Sequence, residues 1–136
     1  MREAAQYLIM LLALLTLQHP AATQPHALSP AAEAVTQMTY AGEYIIVAYC
    51  AEQYPHICGG NPTTKSGEPV TPRVTVAADP DVLPLGTRIY IDGIGERVVQ
   101  DTGGAIRGRK IDLAVESHQE ALEFGHKVAK IYILEG

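Results

Sequence analysis

Tryptophan is absent, phenylalanine occurs once and cysteine only twice in the 136 residues. So few cysteines exclude a small fold stapled by several disulfides. Basic residues are also scarce, ten Lys plus Arg against fifteen Asp plus Glu, and the net charge of -5 excludes a generic nucleic-acid binder. No apolar run reaches the ~20 residues of a comfortable membrane span. The apolar share of 47% is too high for a disordered chain. What is abundant is Gly (12), Pro (9) and Tyr (7), together with many Val, Ile and Thr. That mixture favours short strands joined by tight turns in a single domain.

The N-terminal run YLIMLLALLTL (7–17) follows Arg2 and precedes a Pro- and Ala-rich stretch. It has the pattern of a signal peptide, with a membrane anchor as the second reading. It is apolar on every face, so an amphipathic surface helix is excluded. Residues 1–34 are therefore expected to be signal peptide or anchor plus linker, and residues 35–136 the domain, which would act outside the cytoplasm. Export into an oxidising compartment allows Cys50 and Cys58 to pair, and a disulfide is expected. Closing so short a loop contributes about 2 to 3 kcal/mol on the chain-entropy argument. Zinc would need two further ligands, and only His56 lies between the cysteines. No metal or cofactor is expected.

The Pro- and Ala-rich stretch 18–41 reads as leader end and linker. Beyond it, strands are expected at 44–49, 74–78, 87–92, 96–100, 110–115 and 128–134, the third and fourth forming a hairpin through Gly93 to Gly95. Cys50 to Pro72 is a loop long enough to suggest function. Ser117 and Glu120 have capping-box spacing and Gly125 suits a helix end, which predicts a short helix over 118–124. Six short strands around one helix suggest a small closed β-barrel.

Three aspartates interrupt this pattern. Asp79 precedes Pro80 at a strand end and reads either as a turn residue or as part of a site. Asp101 opens Thr102-Gly103-Gly104, where it can cap backbone amides or line a place where backbone approaches a ligand. Asp112 interrupts the Ile111, Leu113, Val115 alternation and must point away from them, into solvent or into a cleft. A carboxyl works as a general acid near neutral pH only when burial or a second carboxylate raises its pKa, and Asp101 with Asp112 is the pair that could do so. The D-x-D-x-D-G spacing of a calcium loop is absent. His56, His118 and His126 lack a Gly-x-Ser-x-Gly partner and read as structural or solvent-facing.

The segments AADPDVLPLGTRIYI (77–91), QDTGGAIRGRKIDLAV (100–115) and SHQEALEFG (117–125) resemble the 3D domain, named for three aspartates. That family is the minimal form of the catalytic domain of membrane-bound lytic transglycosylase A. The resemblance spans about residues 42–134. It implies a six-stranded double-psi β-barrel acting on peptidoglycan glycan strands. The implied reaction is lytic transglycosylation: one aspartate protonates the bond between N-acetylmuramic acid and N-acetylglucosamine, then takes the proton of the muramoyl C6 hydroxyl, leaving a 1,6-anhydro end. By motif Asp112 takes that role, Asp101 sets its protonation and binds sugar, Asp79 organises the site, and Thr102, Gly103 and Gly104 shape the groove. Arg107 and Arg109, with Lys110, are candidates for a positive rim on an otherwise acidic domain. The larger enzymes complete their cleft with a second domain, so a second copy or another partner is the candidate to complete it here. The alternative function is a non-catalytic module that binds cell wall.

Overall fold

The computed structural model describes residues 37–52 and 61–136. The leader reading of residues 1–34 and the Cys58 half of the expected disulfide lie outside the described residues. Six strands appear in the order β1 (Gln37–Cys50), β2 (Thr75–Ala78), β3 (Arg88–Ile91), β4 (Gly95–Asp101), β5 (Lys110–Val115) and β6 (Lys127–Glu135), with helix α1 (His118–Phe124) between the last two. They close into a barrel of order β1-β5-β2-β4-β3-β6. Two pairings are parallel, β1 with β5 and β2 with β4, and the others antiparallel. A parallel pair cannot be joined by a hairpin. The chain therefore crosses over twice, which gives the double-psi arrangement its interleaved connectivity.

The barrel is filled by alternating residues. Ile46, Val76, Ile89, Ile91, Val99, Ile111 and Ile131 are fully buried, and Leu83 from the turn after β2 closes one end. β-Branched side chains suit a pleated wall, and each removed from water stabilises the fold by about 1.5 to 3 kcal/mol. In β5 the expected alternation holds: Ile111, Leu113 and Val115 are buried in the core, so Asp112 belongs to the outer face of the wall.

One boundary needs correction. Residues 37–41, read as linker, are the first part of β1, paired antiparallel with β6 from Gln37 opposite Glu135 to Tyr40 opposite Tyr132. The sequence hides this because a bulge between Tyr40 and Gly42 breaks the period of two. Gly42 takes φ 120°, and the Arg109 guanidinium lies 3.1 Å from where a Cβ would stand. The bulge thus needs glycine for backbone and space alike.

Helix α1 is capped as its sequence requires. The Glu120 N–H donates to the Ser117 hydroxyl at 3.1 Å, and the Glu120 carboxylate reaches back to accept the Glu116 N–H at 3.0 Å. Gly125, at φ 62°, ends the helix by donating its N–H to the Ala121 carbonyl. Ala121 and Phe124 pack on the core, while Leu122 remains exposed.

Candidate active site

The register of three neighbouring strands builds the site. Ala77 of β2 pairs with Asp112 of β5 on one side and with Asp101 of β4 on the other. Residues level on adjacent strands point to the same face, so both carboxyls stand on the outer wall two strand spacings apart, about 10 Å between their Cα atoms. Between them lies only the methyl of Ala77. On the other side of Asp112, Val47 of β1 is its level partner, and Tyr49 stands two residues further along the same face.

Tyr49, Ala77, Asp101 and Asp112 line an open cleft of about 530 Å³, together with Thr102, Gly103, Ile106 and His118. Its floor is the barrel wall and its sides are the Gly-rich turn after β4 and the start of α1. Gly103 is needed here for close packing, because a Cβ on it would stand 2.9 Å from Ile106 Cγ1. Of the loop Cys50 to Pro72, expected to be functional, the described part 61–72 is tied down by Ser66 N–H to the Gln100 carbonyl and by Lys65 N–H to Asp101 Oδ1.

The three aspartates have separate roles in the geometry. Asp112 is half-buried, and its Oδ1 is shielded from water with no hydrogen-bond partner among the described residues. Burial raises its pKa to about 6, with Lys110 opposing the rise and Asp101 adding to it. Asp101 is held in place: its Oδ1 accepts the N–H groups of Lys65 at 3.0 Å and Thr102 at 2.9 Å. Asp79 is not among the cleft residues. Its Oδ2 accepts the Gly108 N–H at 2.7 Å and its Oδ1 the Asp81 N–H at 3.1 Å. Those amides, Gly108 first, and then Arg107 hold its pKa below the ordinary carboxylate value. Asp79 thereby pins the far end of the turn that carries Asp101, Thr102 and Gly103.

Of the other expected site residues, the cleft gathers Thr102 and Gly103 but not Gly104, Arg107 or Arg109. Arg107 stands 3.8 Å from Asp79, and Arg109 packs over Gly42. The sequence reading missed Tyr49 and Ala77. Tyr49 had a signal, since Tyr44, Ile46 and Ala48 take the inner face and leave an aromatic ring on the outer one. Ala77 had none, because its importance comes only from the register. His118, read as structural or solvent-facing, begins α1 with its N–H donating to Glu52 Oε2 at 2.7 Å, and it also lines the cleft. Among the described residues no group of three or more His, Cys, Asp or Glu could hold a metal ion.

Chemically, the cleft offers one carboxyl that can exchange a proton near pH 6 and a second carboxylate held rigid across an alanine floor. Residues 74–135 match the family model of the 3D domain. The cell wall-binding protein YocH of Bacillus subtilis (strain 168) is 46% identical over 59 residues, which are 43% of this chain and 21% of that protein. This chain thus spans about a fifth of that relative's length. Among solved structures, MltA from E. coli is similar at a TM-score of 0.46 and 23% identity, covering 56% of this chain and 28% of that one. E. coli MltA with bound chitohexaose gives a TM-score of 0.48 at 19% identity, covering 57% and 29%.

Proposed function

From a chain that carries a 3D domain over residues 74–135, we propose a peptidoglycan lytic transglycosylase that acts outside the cytoplasm, at the cell wall. The observation that carries this reading is Asp112, a carboxyl raised to about 6 in a saccharide-sized cleft with one oxygen unpartnered among the described residues. A group poised near neutral pH can give a proton and take one back in a single turnover. Protonated Asp112 donates to the glycosidic oxygen between N-acetylmuramic acid and N-acetylglucosamine, and the bond to the muramoyl C1 breaks. Positive charge that develops at that ring is stabilised by the carboxyl groups lining the cleft. The Asp112 carboxylate then accepts the proton of the muramoyl C6 hydroxyl as its oxygen bonds to C1. The proton count closes, and the product is a 1,6-anhydromuramoyl end without water or metal. Asp79 serves this chemistry at a distance by fixing the turn that carries Asp101.

A second reading has its own support: YocH is named a cell wall-binding protein, and a module of that kind would hold a glycan strand in the same cleft without cleaving it. Against it, binding alone gives no reason to bury a carboxyl at the cost of its ionisation. The two readings separate when the purified protein is incubated with peptidoglycan and both sedimentation and released muropeptides are followed. Release of anhydromuramoyl products supports the enzyme; co-sedimentation without product supports the module. The open side of the cleft is where a second copy or another wall protein would complete a longer glycan groove.

A further inference from the structure

The cleft holds a polar group that the proton transfers above do not use. Tyr49 stands one residue before the end of β1, it lines the cleft, and its Oη is shielded from water with no hydrogen-bond partner among the described residues. A buried hydroxyl without a partner lowers stability, and phenylalanine would supply the same ring without that loss. The same cleft contains one other such atom on the outer wall, Asp112 Oδ1, and the two orphans are not bonded to each other. They stand on adjacent strands, Tyr49 one repeat along from the residue level with Asp112. Burial first, and then the charges of Asp101 and Asp112, keep the phenol protonated far above neutral pH, so Tyr49 is available as a donor. A ligand oxygen that reached both would satisfy them at once: it would accept from the phenol and, where it belongs to a hydroxyl, donate to the carboxylate. An anionic group is disfavoured at that point by the two carboxylates, which leaves a neutral hydroxyl or amide oxygen, the chemistry of an N-acetylated sugar.

We infer that Tyr49 is a substrate-binding residue whose Oη donates a hydrogen bond to a neutral oxygen of the sugar seated over Asp112. This rests on the glycan reading given above. The test is Tyr49→Phe, which keeps the ring and removes only the donor, assayed on soluble glycan strands prepared from peptidoglycan. The expected result is a fall of about tenfold in kcat/KM, or in affinity if the wild type binds without cleaving, as for one lost neutral hydrogen bond. The unfolding midpoint is expected to stay the same or rise, because an unpartnered hydroxyl has been removed. A purely structural role would lower the midpoint instead, and a variant that loses stability along with function overturns the inference. A wild type that binds or cleaves beside a Tyr49→Phe variant of equal strength overturns it too, and leaves the glycan reading standing. A wild type that neither binds nor cleaves the strands overturns both.

Discussion

Replacing Asp112 by Asn should make the protein more stable at neutral pH, and the gain should depend on pH in a defined way. In the folded chain the carboxyl titrates at about 6 against an ordinary 3.8, chiefly because burial penalises its ionised form. Each pH unit of difference corresponds to about 1.4 kcal/mol, so full conversion gives about 3 kcal/mol. The side chain is only half-buried, and screening by cleft water reduces this to about 1 to 2 kcal/mol. The sign follows from proton counting: between pH 4 and 6 the folded wild type holds a proton that the unfolded chain has released, so its stability falls as pH rises through that window. Asparagine keeps the shape and cannot ionise. Urea unfolding of both proteins should therefore coincide near pH 4, diverge up to about pH 6 and stay apart above it, a thermal difference of roughly 5 to 10 °C at the plateau. A constant offset across that range, or a less stable variant at pH 7.5, would refute the assignment of a raised pKa to Asp112.

Other consequences can be checked separately. Cleavage of glycan strands should lose about tenfold in kcat/KM per pH unit above pH ~6, as the proton-donating form of Asp112 disappears; a rate that is flat or rising from pH 5.5 to 7.5 contradicts the role. Gly103→Ala drives a methyl to within 2.9 Å of Ile106 Cγ1, so the unfolding midpoint should drop in line with about 1 to 3 kcal/mol of overpacking, and an unchanged midpoint would show that the turn has slack. Asp79→Asn weakens the amide contact that holds the turn, and the Gly108 amide should exchange hydrogen faster in the variant than in wild type. Because the Asp79 pKa is lowered, its stabilisation is present above the ordinary carboxylate pKa and disappears as acid protonates the folded form. The difference in exchange should therefore shrink as the pH falls through that lower value, the reverse of the Asp112 case.

Much of the barrel was legible because the signals were local. The Ile111, Leu113, Val115 alternation, the turn at Gly93 to Gly95 and the Ser117 to Glu120 cap each describe a short piece of chain, and each appears in the structure. The start of β1 was illegible because a bulge at Gly42 shifts the alternation there, and pairing with β6 at the far end of the chain is what makes residues 37–41 a strand. The site divides in the same manner. Asp112 betrayed itself as an acid in an apolar strand, whereas its meeting with Asp101 across Ala77 depends on two registers, one of them shifted between Val76 and Ala77. No pattern along one strand encodes that. Arg107 and Arg109 lie close to the aspartates in sequence, yet one faces Asp79 and the other Gly42; nearness along a Gly-rich turn says little about direction.

The most direct test of the central claim is mass spectrometry of the muropeptides released when wild type and Asp112→Asn are incubated with purified peptidoglycan. The account expects 1,6-anhydromuramoyl ends from the wild type and none from the variant, although the variant is at least as stable at neutral pH and still sediments with the wall. Reducing ends, equal product from both proteins, or binding by the wild type with no product would contradict Asp112 as the acid and base of a lytic transglycosylase.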